Sequence, residues 1–217
     1  MNGPQDQQQA SQGQAGKSAL QHQQEAIKEN FSSAPAASPV ISCPKGALTE
    51  QQAQERFDKF KSREDIPWDY PQDCCYNRAH VMAKELEAEG VEVGKVWNYA
   101  PPPSTGNALC VQTPHDPSGY VEWSYHVAPT VPVMDSKGKI SRMVIDPSIT
   151  KCPITPDQWK AIQGEPRSEL VSTSAAPYYR SESGRVAPTP TDNEVKGIFD
   201  LHRERRKELL SEWNASR

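Results

Sequence analysis

What this chain lacks already narrows what it can be. Nowhere in its 217 residues is there a run of about 18 apolar side chains, so no membrane-spanning helix is expected. The opening Met1-Asn2-Gly3-Pro4-Gln5-Asp6 has neither the basic nor the apolar stretch of a secretory signal, which argues against export by a signal peptide. A net charge of -4 offers no excess of basic groups, so nucleic acid and anionic membrane are excluded as general partners. The five cysteines, Cys43, Cys74, Cys75, Cys110 and Cys152, show no zinc-site spacing, and their odd number leaves at least one thiol outside any intramolecular disulfide. No metal or organic cofactor is expected. Only 35% of the residues are hydrophobic and 20 are proline, so part of the chain is not expected to fold.

That deficit is concentrated at the start. Residues 1–42 are mainly Gln, Ala and Ser, with Gln7-Gln8-Gln9 and Gln23-Gln24 as low-complexity runs, and are expected to form a disordered leader. A short helix over 18–28 is compatible with that composition but has no apolar stripe to dock it, and 32–39 reads as a linker. A folded domain is expected over 43–192. An amphipathic helix over 193–217 follows, its stripe formed by Val195, Ile198, Phe199, His202, Arg206, Leu209, Leu210 and Trp213.

Within the domain the punctuation is clear. Thr49 with Gln52 forms a capping box ahead of Ala53, Phe57 and Phe60, predicting a helix to about residue 61. Thr155, Pro156 and Gln158 predict a second, short helix ended by Gly164. Strands are expected over 91–99 and 109–111. In the stretch 121–134, Val121, Trp123, Tyr125 and Val127 alternate with Glu122, Ser124, His126 and Ala128, which predicts one strand with His126 opposite its apolar face. Pro129 and Pro132 predict an edge strand or a bulge in its second half. Asp135-Ser136-Lys137-Gly138 then turns the chain into a partner strand over 140–147, and 172–190 reads as loop. The fold class is α+β, an antiparallel sheet packed with helices.

The chemistry gathers around Asp73-Cys74-Cys75-Tyr76-Asn77-Arg78-Ala79-His80. Pro67 and Pro71 keep the preceding chain extended, while Tyr76, Ala79, Ala83 and Leu86 recur at helical spacing until Gly90. Cys75 therefore falls in a first helical turn, where open N–H groups and the helix dipole favour a thiolate. If Met134 pairs with Gly138, the hairpin register sets His126 opposite Asp146, with Cβ atoms about 5 Å apart. Cys75, His126 and Asp146 then form a thiol acyl-transfer site of nucleophile, base and orienting acid. The Cys75 N–H is an oxyanion donor, and Gln72 is a candidate for the second donor and a substrate contact. Trp123 and Tyr125, which precede His126, are further candidate substrate contacts. His80 faces away from Cys75 on the helix and His115 lies in a loop. Cys74 is a packing residue, a redox partner or a competitor for the role of Cys75.

Three blocks in order, the one just given, Trp123-Ser124-Tyr125-His126-Val127-Ala128 and Ile145-Asp146-Pro147-Ser148, resemble the motifs of bacterial protein-glutaminases, also called protein-glutamine deamidases. Ser104-Thr105-Gly106 and Tyr178-Tyr179-Arg180-Ser181 resemble further family segments, so the likeness runs over 67–181. It implies a transglutaminase/papain-like core, a Cys-His-Asp triad carried by Cys75, His126 and Asp146, and hydrolysis of the side-chain amide of protein- or peptide-bound Gln through a Cys thioester. The family pattern has Gly where this chain has Cys74, and Cys75, directly before the Tyr, is the matching thiol. The loop 113–120 is longer than in the family. Transglutaminase-type acyl transfer, papain-like proteolysis and an inert binding module are the alternatives. The partner implied is a protein presenting an accessible Gln; a bacterial effector or toxin exported by a specialised secretion system and acting in a target cell would add an immunity or inhibitor protein.

Overall fold

In the computed structural model, which describes residues 42–215, Thr49 closes the short strand β1 (Leu48–Thr49) and caps helix α1 (Glu50–Lys61). Its hydroxyl accepts the Gln52 N–H while the Gln52 side chain accepts the Thr49 N–H, the reciprocal box read from the sequence. The same device, Thr155 with Gln158, starts α3 (Pro156–Ala161). The predicted leader (Ser42 apart), its short helix and its linker lie outside the described residues.

The remaining elements are α2 (Cys75–Ala88), β2 (Gly94–Tyr99), a turn of 3-10 helix (Pro103–Thr105), β3 (Leu109–Gln112), β4 (Tyr120–Trp123), β5 (Tyr125–Met134), β6 (Ile140–Val144), β7 (Glu169–Ser174) and α4 (Asp192–Ala215). The main sheet runs β1-β5-β2-β7, with β6 also on β5, and β3-β4 forms a separate hairpin. Alternation along β2 and β5 gives the sheet two covered faces. On one, Trp97, Tyr99 and Val127 pack with Cys75 and Ala79 of α2. On the other, Val96 and Ala128 pack with Val144 and with Trp159 of α3. A second cluster joins Phe57 and Phe60 of α1 to Met82 and Leu86 of α2 and to Val131 and Val133 of β5. Burying each such side chain contributes about 1.5–3 kcal/mol.

Five readings of the sequence need correction. The stretch 121–134 is two strands, because the chain bends at Ser124 between β4 and β5. The strand expected over 91–99 starts only at Gly94, and the loop expected from 172 begins inside β7, whose end at Ser174 pairs with Gly94. The second half of β5 is no edge: Thr130 to Met134 pair with β6, and Val133 and Met134 also pair with β1. The prolines fit because of where they fall. Pro129 precedes the first β6 partner, and Pro132 lies between Thr130, the last residue paired with β2, and Val133, the first paired with β1. Finally, the hairpin register is Met134 with Ile140, not Gly138. The shift is by two residues, so every side chain keeps its face.

Candidate active site

Cys75 is the first residue of α2, and the turn that places it is unusual. Cys74, the N-cap, has φ 76° and ψ 11°, the one positive φ of a non-glycine among the described residues. Its N–H donates to Asp73 Oδ1 at 2.5 Å. The left-handed residue sends the two neighbouring thiols apart. Cys74 packs with Ile66 and with Val195 and Phe199 of α4, and its burial, against the pull of Arg78, pushes the thiol up to about 12. Cys75, 6% exposed, packs toward Trp97, Tyr99 and Val127. Buried Asn77 ties this first turn outward, donating to Val195 O and accepting the Tyr178 hydroxyl at 2.8 Å.

His126 is the second residue of β5 and is 1% exposed. Its ring lies between Trp123, stacked at 4.5 Å, and Trp159, at 5.3 Å. Nε2 meets Asp146 Oδ2 at 2.8 Å. Asp146 is held in turn by the Trp159 indole N–H on Oδ2 at 2.8 Å and by the Ser148 N–H and hydroxyl on Oδ1. Burial alone would drive the imidazole down, but the Asp146 carboxylate and the nearby Cys75 thiol overcome it and hold His126 up to about 9. Burial likewise opposes the Asp146 charge, yet His126, Ser148 and Trp159 keep its carboxyl below the usual range. With Nε2 engaged, the nitrogen left for the thiol is Nδ1, which is buried without a hydrogen-bond partner among the described residues.

The structure thus brings Cys75, His126 and Asp146 together. Trp123 gives its indole N–H to Pro71 O at 2.8 Å, so the ring stacked on His126 is tied to the segment before Cys75. Tyr125 lies among Trp97, Tyr99 and Tyr179. Gln72 donates to Asp116 Oδ2 at 2.8 Å, tying it to the loop 113–119. His80 packs edge-on against Tyr178, and His115 is exposed. The residues that sequence reasoning missed are Trp159 and Ser148. Ser148 carries a signal, since Asp followed two residues later by Ser is a local side-chain turn pattern. Trp159 carries none, because nothing in a capping box says which way the next tryptophan faces.

A profile of a glutaminase family matches residues 51–163, just over half of the chain and all three of these side chains. The chain belongs to this family. No curated protein matches the sequence. Among solved structures, a crystal structure of protein-glutaminase is 23% identical with a TM-score of 0.57, covering 72% of this chain and 89% of that one. The NMR structure of protein-glutaminase from Chryseobacterium proteolyticum is 23% identical with a TM-score of 0.59, covering 71% and 86%. A crystal structure of pro-protein-glutaminase is 22% identical with a TM-score of 0.59, covering 76% of this chain and 61% of its own. The glutaminase-family chain therefore shares their α+β fold. Its matched segment ends just past Trp159, and α4 lies beyond it.

Proposed function

We propose that this chain deamidates protein- or peptide-bound glutamine with Cys75 as nucleophile, His126 as acid and base, and Asp146 as the group that orients and charges His126. The observation that carries the reading is the buried 2.8 Å bond from His126 Nε2 to Asp146, with the Cys75 thiol near enough to raise the imidazole further. Family membership supports the amide as substrate. The order of parts, a helix-first cysteine, then a strand histidine and an aspartate, supports a transglutaminase/papain-like core.

The Cys75 sulfur adds to the side-chain carbonyl carbon, a C–S bond forms, and the carbonyl π pair moves onto oxygen. The backbone N–H of Cys75, at the open start of α2, donates to that oxyanion. Collapse breaks the C–N bond, His126 gives its proton to the nitrogen, and ammonia leaves a γ-glutamyl thioester. Neutral His126 then takes a proton from water, whose oxygen displaces the thiolate and yields Glu. Trp123 holds the imidazole face, and Tyr125 and Gln72 border the substrate.

The test is ammonia release from a Gln-containing protein, with mass spectrometry of the product. Wild-type protein is expected to convert side-chain amide to acid with no cut or cross-linked chains, and Cys75→Ala to lose the activity. Ammonia release that survives Cys75→Ala would overturn the assignment.

A further inference from the structure

Addition of a thiolate to an amide places a full negative charge on oxygen, and a single N–H donor leaves that charge half supported. A second donor has to lie at the Cys75 end of the layer between α2 and the sheet. Tyr125 is the first residue of β5 and pairs with Tyr99, which belongs to the cluster that packs around Cys75. Alternation along β5 puts Tyr125 on the α2 face with Val127, whereas His126 goes to the face of α3. Adjacent residues thus serve the site from opposite sides of one strand.

The Tyr125 ring is held by Trp97 at 6.2 Å, Tyr99 at 6.1 Å and Tyr179 at 5.7 Å between centroids. The hydroxyls around it are largely committed: Tyr99 donates to Arg180 O and Tyr178 to Asn77 Oδ1, each at 2.8 Å. The Tyr125 hydroxyl has no hydrogen-bond partner among the described residues. Burial and the neighbouring Cys75 push its phenol far above the ordinary range, so it stays an O–H donor wherever the enzyme works.

Resting on Cys75 as the nucleophile, we propose that the Tyr125 hydroxyl is the second oxyanion donor, acting with the Cys75 backbone N–H. Its hydrogen bond strengthens as the C–S bond forms and charge reaches the oxygen, and relaxes when the C–N bond breaks and the carbonyl returns. Tyr125 keeps its proton throughout; the proton that leaves with ammonia comes from His126.

Tyr125→Phe keeps the ring packing and removes the donor. Loss of one such donor is expected to lower kcat by roughly 10²–10³-fold with KM little changed. Alkylation of Cys75 by iodoacetamide, a displacement that makes no oxyanion, is expected to keep its wild-type rate. Binding of a glutamine-derived aldehyde, whose adduct oxygen occupies the oxyanion position, should weaken in step with kcat, and Tyr179→Phe serves as a variant of the same shelf with kcat retained. An unchanged kcat in Tyr125→Phe, or alkylation falling as far as kcat, would overturn the proposal. Full activity in Cys75→Ala would instead remove the nucleophile reading on which it rests.

Discussion

His126 and Asp146 meet at 2.8 Å although they are not partners in the sheet: β6 stops at Val144, and Asp146 arrives from the turn beyond it. The Ile145 N–H to Pro129 O bond fixes that exit, and Ile149 and Thr150 donate back to Asp146 O. The pair is therefore held by turn chemistry and not by a strand ladder. Asp146→Asn removes the charge that raises His126 and leaves burial, which lowers it. The alkaline limb of the kcat/KM profile, set by loss of the imidazolium near about 9, is expected to move to lower pH, with kcat down roughly 10²–10⁴-fold. A limb that stays put would show that Asp146 does not charge the base.

Trp159→Phe separates stacking from hydrogen bonding. The variant keeps an aromatic face beside His126 but loses the indole N–H on Asp146 Oδ2. Loss of a hydrogen bond to a buried charged group costs about 1.5–3 kcal/mol. Because that bond lowers the Asp146 carboxyl, its removal raises it, so the acid limb of activity should move to higher pH. Urea unfolding and a pH–rate series measure the two effects.

Much of this was legible because it is local. Both capping boxes, the helix beginning at Cys75 and the opposition of Tyr125 to His126 depend on neighbours a few residues away. The proximity of His126 and Asp146 was predicted from a cross-strand register that the structure does not have; the two meet because the chain leaving β6, fixed by the Ile145 N–H to Pro129 O bond, carries Asp146 back beside the start of β5. What could not be read was tertiary. The prolines of β5 suggested an edge, whereas their positions match gaps between three partner strands. Likewise, Trp159 reaches Asp146 only because α3 lies across the sheet.

The backbone at Cys74 makes a prediction against the usual rule for glycine. A left-handed residue with a side chain costs about 1–2 kcal/mol that glycine avoids. Cys74→Ala and Cys74→Gly both lose the buried sulfur, but only glycine adopts φ 76° freely. Cys74→Gly is expected to be the more stable of the two by about 1–2 kcal/mol in chemical denaturation. If alanine proves the more stable, the strain assigned to this turn is wrong.

Lys95 gives a stability signal of defined sign. It is 1% exposed, its Nζ donates to Pro177 O at 2.6 Å, and burial pushes it down from 10.5 to about 8. The unfolded chain binds the proton more tightly, so the folded state is penalised below about 8 and relieved as pH rises toward 10.5. Lys95→Met has no such group. Wild-type stability should therefore rise relative to Lys95→Met across that window. His126, raised in the folded state, contributes stability that is lost as pH rises through about 9, but it does so in both proteins and cancels. Urea unfolding at about pH 7 and about pH 10 checks the sign; a constant difference between the two proteins would exclude this account.

Three of the helices, α1, α3 and, through Thr191 and Glu194, α4, begin with side chains that close their own amide groups, and α2 does not: Cys74 offers no side-chain cap, and no acidic residue occupies the first turn. In the free protein that helix is left unfinished at the end bearing Cys75. On the mechanism proposed above, the negative oxygen of a tetrahedral adduct on Cys75 would complete it, so such an adduct would stabilise the protein through the helix as well as through its own contacts.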